Sequence, residues 1–355
     1  TRNCWITGQN SVRHHVTNWT NPAGTETGNN TTPSHNSPAD WIRGGLPEAH
    51  PTLPGLLQDA GYRTIHAGKA HFGATSYARE PLHVGFDVNI AGSEIGHPGS
   101  YTGNYGQGGS RPVPGLEEYH NTGTFLTEAL TLEINKAIEQ AVDDGTPFFA
   151  YMAHYAVHSP FMEDPRFTAN YPTLSGNLRN YATMIEGMDK SLGDMLAKLD
   201  ALGVAEDTLV VFMSDNGGDA PFSNVNDSNA PLRHKKGSQY EGGIREPLIV
   251  AWAQRDGANS FQTDLPIPAD SREDDIVAVF DLFPTFAAVA GTTFGHSVDG
   301  HDLTPYLRAD AGTHRPQELL IHYPNDHRTD YYTILREGDW KLIYRYASNS
   351  YELYN

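Results

Sequence analysis

Polar side chains able to carry out acid–base chemistry follow apolar runs at three places in this sequence of 355 residues. The first is GKAHFG, in which Lys69 and His71 stand two residues apart. In an extended segment this spacing lets both side chains face the same pocket. A lysine in such a pocket can bind an oxyanion while an imidazole transfers protons. Taken singly, each residue is more typical of a protein surface.

A second apolar run ends in SDNGGDA, which contains Asp215 and Asn216. A carboxylate next to a carboxamide oxygen suits a hard cation such as Ca²⁺ or Mg²⁺, and the glycines that follow permit an unusual backbone path. For the tetrapeptide of residues 215–218 alone, an ordinary Asn-Gly turn is more common than a metal site. Two oxygen ligands also fall short of a calcium shell of roughly 6–8 ligands, so a metal site needs ligands from elsewhere.

Two further segments contain candidate acids, bases and anion-binding groups. AHYAVHSPF contains His154 and His158 just after an apolar strand. One of them is a candidate metal ligand, although a hydrogen-bonded structural histidine is the more common case. RHKKGSQYEGGIREP carries Lys236 as a candidate for binding an anion, unless Lys235 and Lys236 both lie in water. Glu241 in the same segment is expected to cap a turn or to form an ion pair with Arg245.

The overall composition restricts the class of partner. The formal net charge is −19, with 24 Lys and Arg against 43 Asp and Glu, which argues against nucleic acid or an anionic membrane. An anionic substrate therefore requires local positive charge at its site. No apolar run is long enough for a membrane span. A single cysteine excludes an internal disulfide and a cysteine-rich zinc site.

Alternating helical and strand patterns predict the scaffold that positions these groups. Helices are predicted over residues 52–61, 125–144, 178–203 and 281–291. Strands are predicted over residues 62–71, where the strand runs into a loop, and over 147–155, 208–217 and 245–252. The strands are almost continuously apolar, which predicts an α/β fold with a mostly parallel sheet between helices. Ligands in such folds gather at the carboxyl ends of the strands, where the three polar motifs fall.

The pattern changes after Tyr306 to the alternation typical of antiparallel strands, with a turn at residues 337–339. We therefore predict an α/β domain over residues 1–305 and the start of a smaller C-terminal α+β subdomain over residues 306–355, and we expect both to be truncated. The glycine-rich stretches 18–35 and 92–115 are predicted to be loops that face a substrate, with surface decoration as the alternative.

The order of these motifs resembles that of the sulfatase family of the alkaline phosphatase superfamily. The matching segments are GKAHFG, AHYAVHSPF, SDNGG, KGSQYEGGIREP and the C-terminal GDWKLIYRY. The opening TRNCWITG resembles the second half of the family signature C-x-P-[ST]-R-x-x-x-x-T-G. The resemblance implies the alkaline-phosphatase-like fold and hydrolysis of a sulfate ester through a formylglycine hydrate and bound Ca²⁺, with Mg²⁺ less expected.

The resemblance also implies a role for each matching residue. The formylglycine nucleophile is expected three positions ahead of Thr1, and an Asp-Asp pair ahead of Thr1 is expected to complete the calcium shell. Cys4 falls on a variable position of the signature and is expected to be an unmodified thiol. By this resemblance, Arg2 orients the formylglycine, and Lys69 and Lys236 bind sulfate oxygens. His71 assists hydrate formation and hemiacetal breakdown, and His158 protonates the leaving alcohol. Asp215 and Asn216 are the implied calcium ligands.

The style of the loops is closest to bacterial sulfatases that act on sulfated carbohydrates. Residues expected to line the sugar subsites are His97, Tyr101, Arg233, His322, Asn325 and His327. The alternatives are an arylsulfatase-type or phosphonate/phosphate monoester hydrolase on the same fold, and a sulfated-glycan-binding pseudoenzyme. The resemblance also implies export, to the periplasm or beyond the cell. The sequence leaves the particular sugar and the oligomeric state open.

Overall fold

Helices alternate with strands through most of the chain in the computed structural model, which describes residues 1–16, 45–47, 50–75, 78–323 and 331–355. The strands are β1 (Arg63–Gly68), β2 (Val88–Ile90), β3 (Phe148–Ala153), β4 (Leu209–Met213), β5 (Leu248–Trp252), β6 (Glu318–Tyr323), β7 (Tyr332–Glu337), β8 (Trp340–Arg345) and β9 (Ser350–Tyr354). The α-helices are α1 (Arg2–Thr7), α2 (Ser11–His14), α3 (Leu53–Asp59), α4 (Leu126–Asp143), α5 (Gly176–Ala201), α6 (Glu241–Ile244), α7 (Ser260–Asp264), α8 (Leu282–Val289) and α9 (Thr304–Leu307).

The predicted parallel sheet is formed by β1 at the centre, with β2 on one side and β3 on the other. Ile65 and Ala67 on one face of β1 are completely buried and join a core with Ile134 and Ile138 of α4. The opposite face carries Thr64 and His66, which are also completely buried. Helices therefore cover the sheet, as the continuous apolar pattern of the strands predicts.

The longer predicted helices are confirmed as α3, α4, α5 and α8. Helix α5 begins at Gly176, two residues before the predicted start, and Gly203 follows its end with a left-handed φ of 69°. Helices α4 and α5 contact each other through a buried hydrogen bond of 2.6 Å between the hydroxyls of Thr131 and Ser191. No helix within the described ranges is long and apolar enough to cross a membrane.

Strands β4 and β5 form a separate antiparallel pair, in which Val211 lies opposite Val250. The prediction of strands at both places is confirmed, but their relative direction differs from a parallel arrangement. Parallel neighbours need a crossover connection, usually a long helix, whereas this connection contains only the four-residue α6 and a short 3₁₀ turn. A cavity of about 1580 Å³ is lined by residues of β3 on one side and of β4 on the other.

The C-terminal strands form an antiparallel sheet in the order β6-β7-β8-β9, as predicted from their alternation. The predicted turn joins β7 to β8 through Gly338, whose φ is 53°. The buried side chains of Ile334 and Ile343 pack with Tyr240 and Ile244 of the segment around α6. The division into two domains near residue 305 stays a prediction.

Two buried histidines make the stability of this fold depend on pH. His66 is completely buried among Phe72, Phe86 and Tyr151, with ring centroids 5.2–5.8 Å apart. Burial lowers the pKa of His66, and likewise that of the buried His14, to about 3. The unfolded chain takes up these protons below its ordinary histidine pKa of about 6.5, whereas the folded chain does not.

We therefore expect the free energy of unfolding to fall by about 1.4 kcal/mol per pH unit for each of these histidines between about pH 6 and pH 4. His66→Leu should remove one such contribution and flatten the dependence of Tm on pH. The matched change His83→Gln, at an exposed position, should leave that dependence as it is. Thermal unfolding at several pH values measures this, and an unaltered slope in His66→Leu would contradict it.

Candidate active site

The carboxyl ends of three strands bring the predicted catalytic groups to one cavity. Lys69 follows β1 directly, His158 follows β3, and Asp215 follows β4. The cavity of about 1580 Å³ between β3 and β4 is lined at this end by Arg2, Lys69, His158, Asp215, Asn216 and Lys236. Six of the seven residues assigned by motif to catalysis or metal binding therefore meet at one place.

Positive charge surrounds a single carboxylate at this end of the cavity. Nη1 of Arg2 lies 3.3 Å from Oδ2 of Asp215, and the hydroxyl of Thr1 donates to the backbone carbonyl of Asp215 over 2.9 Å. Burial pushes the pKa of the Asp215 carboxyl upward, but the charges of Arg2, Lys69 and Lys236 outweigh it and lower that pKa. Asp215 is therefore held ionised.

Lys69 is buried in this cluster, with 8% of its surface exposed. Burial, followed by the nearby charges of Arg2 and Lys236, lowers its pKa to about 7, while Asp215 acts in the opposite direction. The backbone N–H of Lys69 donates to the carbonyl of Ala153 over 2.7 Å. A Cβ on the preceding Gly68, whose φ is 96°, would lie only 2.1 Å from the same carbonyl oxygen. Only glycine permits this approach of β1 to β3.

A second close approach of glycines brings Asn216 and Lys236 to the same cavity. The N–H of Gly217 donates to the carbonyl of Gly243 over 3.2 Å, and the N–H of Lys236 donates to that of Gly218 over 3.2 Å. A Cβ on Gly217 would lie 2.0 Å from the carbonyl oxygen of Gly242. The loop after β4 and the loop before β5 therefore lie in direct backbone contact.

The two predicted proton-transfer histidines are both held by their backbones. His71 has a left-handed φ of 50°, and its N–H donates to the carbonyl of Ser93 over 3.0 Å. The carbonyl of His158 accepts a hydrogen bond of 2.9 Å from the hydroxyl of Tyr101. Burial, assisted by Lys236 and Lys69, lowers the pKa of His158 to about 4, so its imidazole is neutral near pH 7.

Two of the residues predicted to line sugar subsites contact other groups of the protein. Tyr101 is completely buried and contacts Phe125 with stacked rings 5.5 Å apart. Its hydroxyl bonds the backbone of His158, so it positions the histidine and does not face a sugar. The ring of His97 stacks on that of His158, with centroids 5.1 Å apart and planes 7° apart. His97 therefore lies next to a candidate catalytic group.

The other predicted sugar-binding residues belong to the C-terminal half of the chain. Arg233 is exposed and stacks over the ring of Tyr240 at 3.6 Å. Nδ1 of His322 lies 2.7 Å from the hydroxyl of Thr333 within the antiparallel sheet. Asn325 and His327 lie outside the described residues, so their role stays a prediction.

Ion pairs join the candidate site to the C-terminal sheet. The Nζ of Lys341, a residue with only 6% of its surface exposed, donates to Oε1 of Glu241 over 2.7 Å. Arg336 lies 3.6 Å from the other oxygen of the same carboxylate. Glu241 therefore forms its ion pairs with β8 and β7 rather than with the predicted partner Arg245. Because Glu241 begins α6, the C-terminal sheet supports the loop that carries Lys236.

Cys4 lies apart from this chemistry, in a contact with a histidine. Its Sγ is 3.4 Å from Nε2 of the buried His14. The assignment of Cys4 as an unmodified thiol stays a prediction.

The oxygen donors at the end of β4 match a hard cation in kind but not in number. Asp215 and Asn216 offer two oxygen ligands. The side-chain amide nitrogen of Asn216 donates a hydrogen bond of 3.1 Å to the carbonyl of Gly217. Burial and the charge of Asp215 raise the pKa of nearby Glu246 to about 7, and its Oε1 is buried without a hydrogen-bond partner. Within the described parts of the chain, no three or more His, Cys, Asp or Glu side chains are arranged to hold a metal.

The chain belongs to the sulfatase family, whose family model matches residues 1–292. It is 30% identical over 331 residues to the N-acetylgalactosamine-6-sulfatase of Canis lupus familiaris, covering 88% of this chain and 57% of that protein. It is 32% identical over 259 residues to a sulfatase of Formosa agariphila, covering 66% of this chain and 44% of that protein. This chain thus spans about half the length of the curated relatives it matches.

Solved structures show the same architecture. The crystal structure of Ps i-CgsB in complex with k-i-k-neocarrahexaose matches with a TM-score of 0.75 and 25% sequence identity, covering 99% of this chain and 74% of that one. The alkaline-phosphatase-like fold expected from the motifs is confirmed. In this chain the fold combines a parallel sheet with a C-terminal antiparallel sheet.

The glycine contact predicts that Gly217→Ala disrupts the site. The added Cβ would meet the backbone of Gly242, which no side-chain movement relieves, and overpacking of this kind costs about 1–3 kcal/mol. Thermal unfolding should therefore show a lower Tm. The control Gly193→Ala lies in α5 with no atom near its Cβ and should raise stability by about 0.5–1 kcal/mol. Equal effects from the two substitutions would contradict the proposed constraint.

The depressed pKa of Lys69 predicts that anion binding depends on pH. Since the ammonium loses its proton as the pH rises through about 7, inorganic sulfate should bind about tenfold more weakly for each pH unit above that value. Titration calorimetry of the full-length protein with sulfate from pH 6 to pH 9 measures this. Lys69→Gln should abolish the dependence, whereas Lys190→Gln, at an exposed residue of α5 paired with Asp194, should preserve it. A constant affinity across this range would contradict the prediction.

Proposed function

We propose that this chain forms the catalytic part of an enzyme that hydrolyses sulfate esters of carbohydrates. The observation that carries this proposal is the cluster of Arg2, Lys69 and Lys236 around Asp215 in one cavity. A chain with a net charge of −19 has no general attraction for anions, so such a cluster indicates a specific anion site. Sulfate is the anion that the family relationship favours.

Binding of the sulfate group is assigned to the two lysines. Lys69 and Lys236 approach the same cavity from two different loops, so they can contact different oxygens of one sulfate group. Fixed cations in a buried site stabilise the charge that develops as the ester bond breaks, without any reorganisation of water. A bound sulfate in turn stabilises the ammonium form of Lys69.

Proton transfer is assigned to His158 and His71. The leaving oxygen of a sugar sulfate is a poor leaving group and requires a proton. We assign its donation to His158, which lines the cavity and must first be protonated, a step that the negative charge of a bound sulfate ester favours. His71, held on the carbonyl of Ser93, is assigned to the proton transfers at the nucleophile. Arg2 is assigned to orient that nucleophile, since α1 begins at the cavity and Arg2 lines it.

The nucleophile and the remaining metal ligands belong to the same proposal. We assign the nucleophile to a formylglycine three positions ahead of Thr1, as the resemblance to the family signature implies. Asp215 and Asn216 would hold Ca²⁺, together with acidic residues that precede Thr1. When bound, the cation would supply positive charge next to the sulfate oxygens. Export to the periplasm or outside the cell is likewise proposed from the family relationship.

A carbohydrate substrate is supported by the relatives. The name of the canine relative specifies N-acetylgalactosamine 6-sulfate, and the Ps i-CgsB structure contains a neocarrahexaose. The exposed Arg233, stacked on Tyr240 and donating to the hydroxyl of Tyr354, remains a candidate for contact with a sulfated sugar. The glycine-rich stretch 92–115 contributes His97 near His158.

Release of sulfate by the full-length protein tests this function. We expect hydrolysis of sulfated oligosaccharides in the presence of Ca²⁺, with kcat/KM reduced by roughly 10²–10⁴ in His158→Ala. His83→Gln, at an exposed histidine, should retain full activity. Nitrophenyl sulfate and nitrophenyl phosphate are assayed in parallel. Preference for phosphate would identify a phosphate monoester hydrolase, and oligosaccharide binding without sulfate release would identify a binding protein.

A further inference from the structure

One short loop contacts both histidines that the proposed function assigns to proton transfer. The carbonyl of Ser93 accepts the backbone N–H of His71 at 3.0 Å. Gly96 packs against the ring of the same histidine, so that a Cβ at this position would lie 3.2 Å from its Cε1. His97, the next residue, stacks on the ring of His158. The segment 93–98, named here the histidine loop, therefore lies against both groups.

The stacking of His97 on His158 is nearly parallel and fixes both ring orientations. The centroids are 5.1 Å apart and the planes differ by 7°. Nδ1 of His97 lies 3.0 Å from the carbonyl oxygen of Pro98, and Nδ1 of His158 lies 3.0 Å from that of Ser159. A carbonyl oxygen only accepts hydrogen bonds, so both Nδ1 atoms are donors. The neutral rings therefore carry their free lone pairs on Nε2.

The charges around this pair explain why a second ring is useful. Lys69 and Lys236 act on both imidazoles, and Arg111 acts on His97. The two lysines oppose the protonation of His158, which donation to a leaving group requires. A neutral aromatic face stacked on an imidazolium stabilises the cation, because the ring quadrupole is negative on its face. His97 supplies such a face while it is neutral, which the lowering of its own pKa by burial favours; a charged His97 would instead oppose the protonation of His158.

We propose that His97 is a positioning residue, which holds the His158 imidazole in the orientation that protonates the leaving oxygen of the sulfate ester. The inference rests on the proposed function and adds to it that the histidine loop acts on His158 through His97. It replaces the expectation that His97 binds the sugar directly. In the reaction, the oxygen of the nucleophile forms a bond to sulfur while the S–O bond to the sugar breaks. The electron pair of the broken bond takes the proton from Nε2 of the His158 imidazolium, which becomes a neutral imidazole.

Leaving groups of different basicity test this proposal on the full-length protein. A sugar alkoxide requires the proton of His158, whereas nitrophenolate leaves without one. His97→Ala should therefore lower kcat for a sulfated oligosaccharide by about tenfold to a hundredfold, leave its KM unchanged, and scarcely affect nitrophenyl sulfate. His97→Phe retains a stacking ring and should restore most of the lost turnover. Thermal unfolding of both variants confirms that they are folded.

Combination with His158→Ala gives a second test. If His97 acts only through His158, the double variant should hydrolyse the oligosaccharide as slowly as His158→Ala alone. Additive losses would overturn the proposal, as would equal losses on both substrates, an increase in KM alone, or full activity of His97→Ala. An unsubstituted protein that releases sulfate from neither substrate would instead contradict the proposed function itself.

Discussion

The concentration of three cations around the Asp215 carboxylate is the constraint on which the other features of the site depend. Arg2, Lys69 and Lys236 come from three separate parts of the chain, so their repulsion must be overcome by the packing that holds each segment in place. Asp215 offsets part of that repulsion through its ion pair with Arg2 at 3.3 Å. The remaining excess of positive charge is what makes the cavity suitable for an anion such as a sulfate ester.

Backbone contacts, rather than side-chain packing, hold these segments at the required distances. Gly68 approaches the carbonyl of Ala153, and Gly217 approaches that of Gly242, both closer than any residue with a Cβ allows. Main-chain hydrogen bonds have few alternative geometries, whereas long lysine side chains have many rotamers. A site built on such contacts is preorganised before the substrate arrives. Glu241, paired with the buried Lys341, extends the same support to the C-terminal sheet.

The motifs predicted the central residues of the site because each follows a strand, and carboxyl ends of strands converge in this fold. Lys69, His158 and Asp215 are found together for that reason. The environment of each residue was less predictable. Tyr101 lies in a glycine-rich stretch that suggests an exposed loop, yet it is completely buried, because its ring packs on Phe125 while its hydroxyl finds the His158 carbonyl.

Long-range pairing was also beyond the sequence patterns. The direction of β5 relative to β4 depends on the path of the intervening chain, which carries no periodic signal. The stacking of His97 on His158 joins residues far apart in sequence, through a loop whose course is set by contacts with Tyr155 and His71. His97, unlike His158, has no local pattern that distinguishes it from an ordinary surface histidine. Only the folded arrangement relates them.

The isolation of Cys4 has a practical consequence for spectroscopy of this protein. It is the sole cysteine in the sequence and lies in the same short helix as Arg2. Its side chain is partly buried and contacts the ring of His14. Cyanylation of this thiol yields a thiocyanate, whose nitrile stretching frequency responds to the local electric field. A single infrared band would then report the arrival of an anion beside Arg2, without any substitution in the polypeptide.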